Sequence, residues 1–258
     1  MKTAAFLLAV AISGALGLSP ANAQKRPNIF ANPKNLKVLP KDISPAELGN
    51  TMKGFALGLG VRCTHCHVGQ EGKPLSSFDF PNDRKETKLI AREMLKMMTD
   101  INRRVGRLDR GPEHKFVEVE CVTCHRGQNR PRLIQSVLAE EYEKGGADGA
   151  MARYRDLRKK FYGGHTFDFG EFALSGFANG LMARGNTDDG IALLAMNAEF
   201  HPESAFARAS LGNAWRRKGD LVRALEHFRK ALQLNPKMQF AAGQIKAIKA
   251  ELNGQEAK

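Results

Sequence analysis

Two five-residue motifs constrain this chain more than any other feature. They are Cys63-Thr64-His65-Cys66-His67 and Cys121-Val122-Thr123-Cys124-His125. C-x-x-C-H is the spacing by which haem is attached covalently. Two thiols one turn apart reach the two vinyl groups and form thioethers, and the adjacent imidazole falls beneath the iron as its proximal ligand. The chain has four cysteines and the motifs use all of them. A zinc ribbon separates its C-x-x-C pairs by about 15–20 residues, whereas 54 residues lie between these two. A disulfide or a redox dithiol would leave both trailing histidines unexplained. The motifs therefore predict two covalently bound haem c groups, held by Cys63, Cys66, Cys121 and Cys124, with His67 and His125 on the irons.

The first residues point to export, the setting in which c-type haem is commonly assembled. Met1-Lys2 is a short basic start, Ala4 to Leu18 is an apolar run, and Ala21-Asn22-Ala23 is a small-x-small cleavage signal. That pattern reads as a secretory signal peptide over 1–23, cut before Gln24. The apolar run falls short of the ~20 residues a membrane span needs, and no cysteine follows it for a lipid anchor. A periplasmic protein with no transmembrane span after cleavage is expected, or one passed on to the extracellular side.

The 258 residues are 42% hydrophobic, enough for a packed core. The formal net charge is +13, and +10 of it falls between residues 25 and 163, the part that holds the motifs. An excess of cations in that part suits an acidic protein partner or a membrane complex. Export disfavours nucleic acid.

Each iron still needs a sixth ligand. Ser44-Pro45-Ala46-Glu47 is a capping box with proline at the first helical position. The helix it starts places Leu48, Met52, Phe55, Ala56 and Leu59 on one face, and a helix there can offer Met52 to the iron. Ahead of the second motif, Asp83 is the expected cap of a helix running to about Val105. Its apolar face carries Ile90, Met94, Ile101 and either Met97 or Met98, and spacing alone does not choose among the three methionines. Methionine on such a face also serves as core filler. Val68 to Asn82 reads as a loop.

Residues 35–132 resemble one half of the cytochrome subunit of photosynthetic reaction centres. The matching stretches are Asn35-Leu36-Lys37-Val38-Leu39, Met52, Ala91-Arg92-Glu93-Met94-Leu95, Ile101-Asn102 and Val122-Thr123-Cys124-His125-Arg126-Gly127. In that family each haem has a helix bearing an axial methionine followed by its C-x-x-C-H. The resemblance implies Met52 for the first haem and Met94 for the second. The photosynthetic subunit carries four haems, whereas this sequence has two motifs. His114 stands where a family histidine ligates a haem of the half that is missing here, and it reads as a loop residue. Arg126, Arg130 and Arg132 follow the second motif as partners for haem propionates or as a docking rim.

Residues 171–204 and 205–238 align at a spacing of 34, the tetratricopeptide period. Gly185 matches Gly219, Phe200 matches Leu234 and Pro202 matches Pro236. The second copy has Leu211-Gly212, Trp215, Ala224, Phe228, Ala231 and Pro236 at the positions the pattern favours. Phe240 to Leu252 reads as a capping helix. Leu133–Tyr142 and Ala150–Tyr162 read as linking helices, with Gly163-Gly164 as a hinge.

The expected fold is mainly α-helical. A dihaem domain of short helices and loops (24–132) is followed by a helical linker (133–163) and a tetratricopeptide repeat domain (164–258). Six-coordinate iron leaves no position for substrate, so the expected function is an electron carrier between redox protein partners, with the repeats mediating protein contacts. The alternatives are a dihaem peroxidase-like enzyme, or a cytochrome that self-associates through its repeats as a scaffold in a larger electron-transfer complex.

Overall fold

The computed structural model describes residues 28–108 and 116–256. The expected leader peptide and His114 lie outside them. The fold is mainly helical, and the described residues hold no strand beyond an isolated bridge between Val68 and Asp79.

Helix α1 (Pro45–Leu59) begins as its sequence dictates. Ser44 Oγ accepts from the Glu47 amide at 3.2 Å, and the Glu47 carboxylate accepts from the Ser44 amide at 3.0 Å. Gly60 ends it in the left-handed conformation, φ +64°, which glycine adopts without penalty. Helix α2 (Glu86–Val105) starts three residues after Asp83, with Lys85 at its N-cap. Asp83 is therefore not the cap, because its carboxylate is engaged by four side chains described below. Helix α3 is the second motif itself, Cys121–His125.

Helix α4 (Ile134–Phe161) is broken at Gly145 and Gly146, where φ is −139° and +61°. This divides it into the two segments read from the sequence. Then come α5 (Ser175–Ala183), α6 (Thr187–Phe200), α7 (Ala205–Lys218), α8 (Leu221–Leu234) and α9 (Gln239–Glu256). Helices α6 and α8 begin and end one repeat period apart. The turns before them are closed by Gly185 and Gly219, with φ +94° and +89°.

Two hydrophobic clusters hold this region together. One joins α4 to α5, α6 and α7 through Leu138, Tyr154, Leu174, Leu181, Leu194 and Leu211. The other joins α7, α8 and α9 through Ala224, Phe228, Ala231 and Ile248. Trp215 packs against both.

Each repeat pairs its helices through small residues. A Cβ on Gly190 would overlap the Met182 side chain and come within 2.9 Å of the Ala178 carbonyl. A Cβ on Gly212 would press on the Phe228 ring at 3.2 Å. The distribution differs sharply before α4. Among the described residues ahead of Ile134, Leu48 is the one buried hydrophobic side chain.

The two kinds of glycine separate in a simple test. Gly190→Ala should destabilise the protein by about 1–3 kcal/mol through overpacking. Gly180→Ala, mid-helix with open space around it, should stabilise it by about 0.5–1 kcal/mol. Thermal unfolding of the two variants checks both signs.

Candidate haem-attachment sites

The first motif forms a 3-10 turn, Cys63–His65. The Cys63 carbonyl accepts from the amides of Cys66 (3.3 Å) and His67 (2.9 Å). Both thiols and the imidazole therefore spring from one turn. The start of α2 clamps this turn: Lys85 donates to the Thr64 carbonyl and the Thr87 hydroxyl to the His65 carbonyl. The Phe80 ring meets the His67 imidazole edge-on, 4.9 Å between centroids.

A charge network stands behind Phe80. Lys88, 9% exposed, donates to the carbonyls of Phe80 and Asn82, each at 2.8 Å, and lies 2.9 Å from Asp83. Asp83 also receives Arg92 (2.9 Å), Asn35 (3.0 Å) and Lys37 (3.1 Å). The Arg92 hydrogen bond, followed by those from Lys88 and Asn35, holds the Asp83 carboxyl far below the usual carboxylate range. Burial, followed by the Lys88 ammonium, holds the His67 imidazole below its ordinary value. Burial pushes the Cys66 thiol up.

At the second motif the turn is helical, so Cys121 and Cys124 lie one turn apart on α3 and His125 closes it. His125 Nδ1 is 2.8 Å from the Gln128 carbonyl, which leaves Nε2 free. The Glu120 amide donates to Thr123 Oγ1 at 3.0 Å. Asn102 of α2 holds the segment ahead of the motif as a backbone partner would. Its Nδ2 donates to the Val119 carbonyl (2.9 Å), and its Oδ1 accepts from the Val119 amide (2.7 Å).

The end of α1, which leads into the first motif, packs on the second. A Cβ on Gly58 would sit 3.1 Å from the Val122 nitrogen, one on Gly60 would overlap the Gly127 carbonyl, and the Gly127 amide donates to the Gly58 carbonyl at 2.9 Å.

Met52 is half-buried on α1. Met94 (44% exposed) shares an apolar stripe of α2 with Ile90 (48%) and Met97 (52%). Met98 is half-buried. The four cysteines are unpaired with one another. Among the described residues, His, Cys, Asp and Glu side chains nowhere gather in threes as a bare metal ion would require.

The model of a family described as the photosynthetic reaction centre cytochrome C subunit matches residues 15–156, more than half of the chain. The chain belongs to that family. A tetratricopeptide repeat model matches residues 205–238. A comparison with curated proteins found no match. Solved structures similar to the chain include the first TPR domain of the human RPAP3 protein, 14% identical over 48% of this chain and 94% of that one, with a TM-score of 0.35. Another is the Sgt2 TPR domain from Aspergillus fumigatus, 14% identical over 48% and 80%, also with a TM-score of 0.35.

Membership in this cytochrome family implies covalently bound haem c, and the residues present fit it. Two turns each present two thiols and an imidazole. His67 Nδ1 is buried without a partner. The exposed apolar stripe of α2 lies in a region that buries little of its own, which is what a region built to close around a large apolar group should look like.

Sequence reasoning assigned no role to the residues that brace the two motif turns: Lys88, Arg92, Asn102 and Gln128. The first two carried a signal. Cations at i and i+4 on an amphipathic helix, preceded by a lone aspartate, predict a charge network more than a cap.

The network also sets a pH dependence. Asp83 has its pKa lowered on folding, so its contribution is fully present above the unfolded value of about 3.9 and is lost as pH falls below it. Asp83→Asn should destabilise the haem-loaded protein most above about pH 5, and its gap to the parent should begin to narrow as pH falls below about 4. Urea unfolding from pH 3 to 7 measures that gap.

Proposed function

We propose that this protein is an exported, periplasmic dihaem cytochrome that passes single electrons between redox protein partners. Cys63 and Cys66 anchor one haem, and Cys121 and Cys124 the other. His67 and His125 would each ligate one iron, and Met52 and Met94 would complete the two ligand sets. One observation carries the reading: two thiol–thiol–imidazole turns stand in a region whose described residues bury a single hydrophobic side chain, Leu48.

Haem c supplies a one-electron iron couple. The chain's task is to hold each ligand set rigid, so that little reorganises when the charge changes. Thr87 and Lys85 fix the first turn by its carbonyls. Gln128 fixes the His125 ring, and its own side chain is tied to the Thr166 carbonyl at 3.1 Å. With Met52 and Met94 completing the two ligand sets, the chain would leave no position for an oxygen or peroxide substrate.

A partner of acidic surface suits the cleft beside the second motif. This cleft, about 790 Å³, runs between Gly127–Arg132 and the end of α4. It is lined by Arg130, Arg132, Arg153, Lys159 and Lys160 against Asp156. Arg132 is paired with Glu140 at 2.6 Å. The repeat helices, which share a core with α4, hold one wall of the cleft and add a surface for protein contacts. Among the described residues no helix is long and apolar enough to cross a membrane.

The purified chain should carry two covalent low-spin haems with a methionine–iron charge-transfer band. Met52→Ala and Met94→Ala should each remove that band from one haem. A colourless protein, or a high-spin ferric spectrum in the parent, overturns the electron-carrier assignment.

Docking has its own test. Lys159→Glu with Lys160→Glu should slow oxidation of the reduced protein by hexacyanoferrate(III) about tenfold at low ionic strength. Oxidation by the cationic tris(phenanthroline)cobalt(III) should not slow. Equal slowing of both would reject the cleft as the docking face.

A further inference from the structure

Charge changes sign along this chain. The whole is +13, yet residues 164–204, the loop before α5 and the first repeat, hold six carboxylates against one arginine, a net of −5. Residues 205–258 return to +7, and residues 25–163 carry +10. The first repeat is thus an acidic block between two basic ones.

Three of its six carboxylates are engaged within the chain. Asp188 pairs with Lys218, Asp189 accepts from the Tyr142 hydroxyl, and Glu171 accepts from the Ser204 hydroxyl. Glu199 and Glu203 are exposed on either side of the turn from α6 to α7, with Pro202 exposed between them. Asp168, also exposed, adjoins Phe169, whose ring meets Tyr154 as the Phe200 ring of that turn does. The turn is fixed at both ends. The His201 amide donates to the Asn197 carbonyl and the Ser204 amide to the His201 carbonyl, each at 3.0 Å. Ser204 Oγ accepts from the Ala207 amide at 2.9 Å. An acidic protrusion held in shape before it meets a partner loses little freedom on docking.

The cleft beside the second motif has the opposite sign. Arg130, Arg153, Lys159 and Lys160 are exposed there around a single aspartate, Asp156. Helix α4 separates the cleft from the acidic turn. Tyr154 is buried against the repeats and Arg158 lies over the Phe200 ring at 4.6 Å, while Arg153, Asp156 and Lys160 line the cleft. One copy therefore cannot seat its own turn in its own cleft, but it can seat another's.

We propose that the cleft receives a second copy of this chain, whose acidic turn at Glu199–Glu203 docks among Arg130, Arg153, Lys159 and Lys160. The proposal rests on the docking role given to the cleft above and names its occupant. The two patches differ and lie on opposite sides of α4, so the contact is head to tail. Each pair keeps a free cleft at one end and a free turn at the other, and the assembly runs on past a dimer. Opposite fields draw the copies together and fix their register.

Sedimentation velocity of the full haem-loaded chain tests this, in salt of about 0.01 M and about 1 M, between which the Debye length falls from about 30 Å to about 3 Å. At low salt the mean mass should rise with concentration beyond that of a dimer, and at high salt it should fall to the monomer. One variant reverses the cleft (Arg153→Glu, Lys159→Glu and Lys160→Glu), and another reverses the turn (Glu199→Lys and Glu203→Lys). Each alone should stay monomeric at low salt, and an equimolar mixture of the two should associate again. A parent that stays monomeric or stops at a dimer, association that survives either reversal, or a mixture that stays monomeric overturns self-docking. Oxidation kinetics keep the two readings apart. If the cleft variant slows oxidation by hexacyanoferrate(III) alone while the parent is monomeric, the cleft remains a docking face and the second copy is not its occupant. Equal slowing with the cationic oxidant removes the docking reading and this proposal with it.

Discussion

Backbone has to approach backbone where the end of α1 meets the second motif, and most of the N-terminal architecture follows from that contact. Gly58 lies against Val122, Gly60 against the Gly127 carbonyl, and the Gly127 amide donates to the Gly58 carbonyl at 2.9 Å. A side chain at either α1 position would hold the two segments apart. The helix that leads directly into the first C-x-x-C-H thus buttresses the second. The exchange is reciprocal, because α2, which precedes the second motif, clamps the first through Lys85 and Thr87. Each attachment turn is held by the helix that belongs to the other. Two units interlocked this way share one set of contacts, so ordering one orders the other. Such coupling suits a region that cannot rely on an apolar core of its own.

The charge network around Asp83 performs a second structural task with polar groups. It binds the segment at Asn35–Lys37 to α2 through one carboxylate, and Arg92 adds a bond to the Asn35 carbonyl at 3.2 Å. Burying a lysine is costly unless its donors are met. Lys88 meets that condition with two carbonyls and Asp83. The arrangement leaves more positive than negative charge close to His67. A device that ties loops together therefore also places buried cations close to the first motif.

Much of this was legible in the sequence, and the parts that were not share a cause. The Ser44–Glu47 box, the proline after it and Gly60 are local signals, and α1 spans Pro45–Leu59 as they require. Repeat spacing placed α6 and α8 because a period of 34 is a pattern in one dimension. Asp83 misled because capping depends on which donors reach a carboxylate first, and Asn35 and Lys37 are distant in sequence. The crossing of α1 onto α3 was equally hidden. Gly58 and Gly60 read as release from a helix, and nothing in their spacing announced a partner more than sixty residues later. The choice among Met94, Met97 and Met98 stayed open from spacing for a related reason. The face of α2 they share has few protein side chains against it, so packing does not rank them.

The contrast between the two halves explains why the repeats are joined to this cytochrome-family segment through α4 and not through a free tether. Leu138, Ala150, Tyr154 and Leu157 of α4 are buried in the same cluster as α5 to α7. The loop after the second motif is then fastened to that rigid body. Gln128 reaches the Thr166 carbonyl, and Gln135 of α4 reaches the Ala173 carbonyl at 2.9 Å. A carbonyl that orients an imidazole proposed to hold a metal must not drift, since the orientation of the ring and the strength of its hydrogen bond would both tune that metal. Gln128 carries that carbonyl and is itself moored to the segment with the larger hydrophobic core. The repeat region thus steadies the His125 ring as well as offering a surface for protein contacts, and both arise from the same packing of α4.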